Sequence, residues 1–114
     1  MATPRLTLHL GEGSVSFLFP LESAKELQAA LVGLLNALKA SVAQAGTPAK
    51  AAPQPPLEYL HTGDVFLEIF CNPNIWPTPF AAKVLVTLKS DRISLTTEAE
   101  LSRLIEDVNQ YLDQ

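Results

Sequence analysis

Among 114 residues the chain has one cysteine, two histidines and one tryptophan, and lysine and arginine together supply only eight side chains. Each scarcity removes a class of protein. A lone Cys71 forms no internal disulfide, which fits a reducing compartment and leads us to expect a cytoplasmic location. Two histidines and one cysteine, with no C-x-x-C and no H-x-x-x-H, make no ligand set, so no metal is expected. There is no G-x-G-x-x-G and no P-loop, so phosphate cradling has no signal and no cofactor is expected. Nucleophilic catalysis needs a nucleophile, a base and an orienting group. Cys71 with His61 is the one conceivable pair, and a lone buried cysteine ordinarily behaves as a small hydrophobe. His9, on a strand face, reads as solvent-facing. The expectation is a protein that is not an enzyme.

Charge is scarce and uneven. Residues 1–57 hold four basic and three acidic side chains, whereas residues 58–114 hold four basic and nine acidic ones. With no basic stripe to neutralise phosphates, no nucleic-acid partner is expected. The stretch Met1 to Arg5 lacks the basic-then-apolar pattern of a signal peptide.

What is present is apolar: 47% of the chain, enough for one globular domain over residues 1–114. Leu6, Leu8 and Leu10 alternate with polar residues, as do Val15, Phe17 and Phe19. Gly11-Glu12-Gly13 lies between them, so the pattern predicts a β-hairpin. Ser23 to Glu26 reads as a capping box. Leu27, Leu31, Leu34, Leu38, Val42 and Ala45 then mark a helix that Gly46 stops. At about 23 residues it spans roughly 35 Å, longer than a strand of about 20 Å, so one end overhangs any sheet it packs on. Asn36 and Lys39 inside this segment argue against a membrane span. A second line of small residues, Ala29, Gly33 and Ala37, predicts either a helix–helix contact within the fold or a self-association surface for a homodimer.

Residues 47–56 form an Ala/Pro linker that favours extended polyproline geometry. It lacks a basic residue beside a clear P-x-x-P core, so it does not read as a proline-rich ligand. Asp64 to Cys71 is a nearly continuous apolar run, expected as a central strand covered on both sides. Lys83 to Lys89 alternates, with Leu85 breaking its polar face, and Arg92 to Leu95 reads as a short last strand. Thr97-Glu98-Ala99-Glu100 resembles a second capping box. Leu101, Leu104, Ile105, Val108 and Leu112 follow at helical spacing with Glu106, Asp107 and Asn109 outside, and this acidic side reads as a solvated face or a docking surface for a basic partner. The order β-β-α-linker-β-β-β-α implies an α+β two-layer sandwich, an antiparallel-rich sheet with two helices.

One segment stands apart. Cys71 to Phe80 contains three prolines and the only tryptophan. Residues before proline are pushed towards extended geometry, so this loop is stiff. Ile75, Trp76 and Phe80 either cap the open end of the sandwich or present a partner surface, with Trp76 as anchor. A groove between this loop and the overhanging end of the first helix, near Leu38 and Val42, suits an amphipathic helix or extended peptide. A different reading is a small-molecule or regulatory pocket between sheet and helices, lined by Phe66, Phe70 and Leu104.

The stretches Asn72 to Phe80 and Asp91 to Leu101 resemble those of small soluble cyanobacterial proteins. Among these, the size and the lack of chemistry are similar to the chaperones that assist carboxysome shell assembly by binding a shell protein's terminal extension. The resemblance covers the second half of the chain and carries no functional residue with it. It implies a cytoplasmic assembly factor that binds another protein or a peptide segment.

Overall fold

Alternation in the first twenty residues produces a hairpin of β1 (Arg5–His9) and β2 (Ser14–Leu18), in register from Arg5 opposite Leu18 to His9 opposite Ser14. Gly13 takes a φ of 98°, open to glycine at no steric cost, and the Leu10 N–H donates to its carbonyl at 2.9 Å. Leu6, Leu8, Phe17 and, just past the strand, Phe19 are all buried. The structure is a computed structural model; it describes residues 4–44 and 55–113, and for residues 41–44 the backbone alone.

Helix α1 (Leu21–Gln44) follows. Its first turn closes with the Ala24 N–H on the Pro20 carbonyl at 3.0 Å. Ser23 therefore lies inside the helix and is not its cap, which corrects the first capping box. The stripe Ala24, Leu27, Leu31, Leu34 and Leu38 is buried, and each leucine contributes about 1.5–3 kcal/mol by leaving water. Val42, Ala45, Gly46 and most of the 47–56 linker fall outside the described side chains or residues.

Four strands then form an antiparallel meander in the order β3 (Leu57–Thr62), β4 (Phe66–Cys71), β5 (Lys83–Lys89) and β6 (Ser94–Glu100). A short 3₁₀ turn, Pro73–Ile75, lies between β4 and β5, and helix α2 (Leu101–Leu112) ends the chain. This is the expected α+β fold with two differences in detail. The described residues hold six strands, divided between a two-stranded and a four-stranded sheet, because Leu57–Thr62 pairs with β4. Thr97 to Glu100 belongs to β6, not to a helix cap: Val86 faces Thr97 and Lys83 faces Glu100 across the ladder. The Leu101 N–H donates to the Ala82 carbonyl at 3.0 Å, so strand passes straight into helix.

The core is one cluster. Leu67, Ile69, Cys71, Val84, Val86, Leu88 and Ala99 point from one face of the larger sheet towards the hairpin, α1 and α2. Strand β4 is thus covered on one side, not two. Its burial alternates, with Phe66, Glu68 and Phe70 only partly covered on the opposite face. The register places Leu60 and Thr87 beside Glu68, and Glu58 and Leu85 beside Phe70.

Polar groups lock the layers. Tyr111 donates its hydroxyl to the Phe19 carbonyl and Tyr59 donates to the Ser23 carbonyl at 3.1 Å. Burial, then the nearby Glu26 carboxylate, pushes the Tyr59 phenol up to about 12. Among the described residues no helix is long and apolar enough to cross a membrane.

Candidate functional site: the cleft beside the proline loop

The proline loop is pinned by its own side chains. The Asn72 Oδ1 accepts the Asn74 backbone N–H at 3.0 Å and its side-chain amide at 2.9 Å. The Thr78 Oγ1 accepts the Ala81 N–H at 3.2 Å. Pro73 is buried, and the 3₁₀ turn packs against α1.

That packing sorts the expected partner-binding residues. Leu38 is 0% exposed, so it belongs to the core and is no part of a docking surface. Trp76 is partly buried against the core. Its Nε1 is shielded from solvent without a geometrically sound hydrogen bond, and the indole N–H bears instead on the Cys71 thiol, a weak acceptor. Burial pushes that thiol up, and the indole offsets the rise in part. Ile75 and Phe80 remain outside, 66% and 86% exposed. Of the three large loop side chains, two are on the surface and the tryptophan is mostly structural.

Phe80 stands at the rim of an apolar cleft of about 330 Å³ formed with Leu35 and Lys39 of α1, Pro79, and Leu101 and Ile105 of α2. The α2 side of this cleft had no counterpart in the sequence reading. Its signal was available: Leu101 and Ile105 are four apart on a helix, which places them on one face.

The small-residue line on α1 does not mediate packing inside the protein. Ala29 and Gly33 are exposed, Ala37 is partly buried, and a Cβ added at Gly33 would meet nothing within 4 Å. The two helices meet elsewhere, where Gln28 donates to Asn109 at 2.8 Å. The pocket imagined between Phe66, Phe70 and Leu104 does not form, because the two phenylalanines lie on the sheet face turned away from buried Leu104.

The possible Cys–His pair is separated by the register. His61 faces Leu67 and packs edge-on against Phe19 at 4.8 Å between ring centroids. Cys71 lies four residues further along β4, about 14 Å away at the strand rise. His9 is not a free surface residue. Its backbone N–H donates to Asp107 Oδ2 at 2.7 Å and its Nδ1 lies 2.8 Å from Oδ1. Arg103 Nε approaches the same carboxylate at 3.5 Å. Asp107 thus covers the outer edge of β1, an edge that would otherwise offer unpaired backbone groups. A smaller cleft of about 280 Å³ adjoins this cluster, between the hairpin turn and Glu100 and Arg103. No group of three or more metal-ligating side chains occurs among the described residues.

Comparison with known proteins finds no matching family model, no matching curated protein and no matching solved structure.

Proposed function

We propose that the protein is a non-catalytic protein- or peptide-binding accessory factor, of the kind that assists assembly. One observation carries this reading: an apolar cleft of about 330 Å³ with a phenylalanine 86% exposed at its rim. Leaving so large an apolar side chain in water forgoes roughly 2 kcal/mol that covering it would recover. Proline restriction and the Asn72 and Thr78 bonds hold Phe80 in place beforehand, so little entropy is lost on docking. The partner is a segment with an apolar side chain to fill the cleft, and the interaction is cytoplasmic. The resemblance to carboxysome assembly chaperones supports the same class of activity. Ala29 and Gly33 offer a flat surface at which a homodimer forms without altering the cleft.

The test is affinity capture with wild type beside Phe80→Ser and Ile75→Ser. Both side chains are exposed, so thermal stability stays within about 0.5 kcal/mol of wild type. Wild type retains a specific partner and both variants lose most of it. Equal retention by all three removes the cleft from the binding site.

A further inference from the structure

The uncovered face of the four-stranded sheet carries a feature that the fold does not use. At its centre is Glu68, partly buried, with Leu60 and Thr87 directly opposite it on the flanking strands and Phe66 and Phe70 two residues either side on its own strand. Leu60 is 58% exposed, and Leu85, diagonal to Glu68, is 41% exposed. A carboxylate set among apolar side chains specifies the sign of charge that a partner must bring to it. Among the described residues Glu68 has no ion pair or hydrogen bond. The nearest cation on the same face, Lys89, sits over the Phe66 ring at 5.8 Å. Glu58, Glu98 and Glu100 border the apolar centre, so four carboxylates share this face with Lys83 and Lys89.

We infer that this sheet face is a second docking surface, and that its occupant is an amphipathic helix of another protein with a lysine or arginine set in its apolar stripe. The stripe covers Leu60, Phe70 and Leu85 while the cation meets Glu68. Charge complementarity selects this occupant. A second copy of the chain, paired about a two-fold axis at the patch centre, would set Glu68 against Glu68. An anionic lipid surface would meet an excess of carboxylates. A helix matches the face in size: at about 10 Å across it covers the middle strands of a sheet whose strands lie about 4.8 Å apart. The surface is separate from the cleft beside Phe80, and either assignment can fail without the other.

The experiment is fluorescence anisotropy with a labelled amphipathic Leu/Lys helix of roughly 18 residues, five turns, in buffer at physiological ionic strength. A Leu/Glu helix of the same pattern and a scrambled Leu/Lys peptide are the controls. The Leu/Lys helix binds; the two controls do not. Glu68→Lys weakens binding about tenfold or more, Leu60→Ser weakens it about fivefold, and Glu106→Lys on the exposed side of α2 leaves it unchanged. Leu60 is exposed, so Leu60→Ser keeps the test valid if Glu68→Lys disturbs folding. Equal binding of the Leu/Glu helix or the scrambled peptide overturns the proposal. So does unchanged affinity in Leu60→Ser, or loss of affinity in Phe80→Ser, which would assign the helix to the cleft.

Discussion

At the scale of single residues, Leu38 lies wholly inside the core and Trp76 is partly buried against it. Leu27, Leu31, Leu34 and Leu38 were legible as one helical stripe because their spacing is an intrinsic property of the chain. Whether the far end of that stripe met solvent depended on another segment. Leu38 is fully buried, and the Pro73–Ile75 turn packs on the same helix. Trp76 is a second such case, a candidate anchor that is partly buried against the core. Asp107 was read as part of an acidic outer side, yet its side chain is 1% exposed. Its position three residues past Leu104 and beside Val108 was the available sign that it faces inward. Replacing it by alanine leaves the His9 N–H without its acceptor and Arg103 with Glu106 as its remaining ion-pair partner. We expect Asp107→Ala to cost about 2–3 kcal/mol, read as a lower urea midpoint at unchanged m-value.

At the scale of elements, helices and hairpin were read from periodicity, and the errors fell where two patterns compete. Residues 94–100 alternate, with Leu95, Thr97 and Ala99 turned inward and Thr96, Glu98 and Glu100 outward. The same stretch contains Thr-x-x-Glu, the signature of a capped helix start. Pairing with β5 along its whole length decides in favour of the strand, since the ladder satisfies backbone groups that a cap would satisfy only in part. Strand β3 was hidden differently. Leu60 lies on its outer face, so the apolar residues do not all share one side. One consequence is testable. Glu100 occupies the N-cap of α2 and makes no side-chain cap bond. Glu100→Asp brings a carboxylate within reach of the free N–H groups of the first turn, and is expected to raise stability by about 0.5–1 kcal/mol. Thermal unfolding of the two proteins side by side measures it.

For the whole molecule, the hairpin, both helices and the sheet contribute to a single buried cluster. No element has a core of its own, so none is expected to survive alone. Unfolding in urea should therefore be one cooperative transition, with the fluorescence of Trp76 and the far-ultraviolet dichroism of the helices changing at the same midpoint. Separate midpoints would show that the loop region or the hairpin opens independently. The same architecture sets where binding surfaces arise. Two helices and a hairpin cover one face of a four-stranded sheet and leave the other to water, and a stiff loop holds Phe80 over the seam between the helices.

The sequence by itself determined the class of fold and the identity of the helices and hairpin. Those follow from periodicity, glycine and proline placement, and residue types, all of which act over a few neighbouring positions. Only the tertiary structure decided which apolar residues are covered. Burial of Leu38 and Trp76, the outward turn of Phe66 and Phe70 beside Glu68, and the bonds of His9 to Asp107 join segments far apart in the chain. Their geometry comes from how the layers stack, which no local pattern encodes.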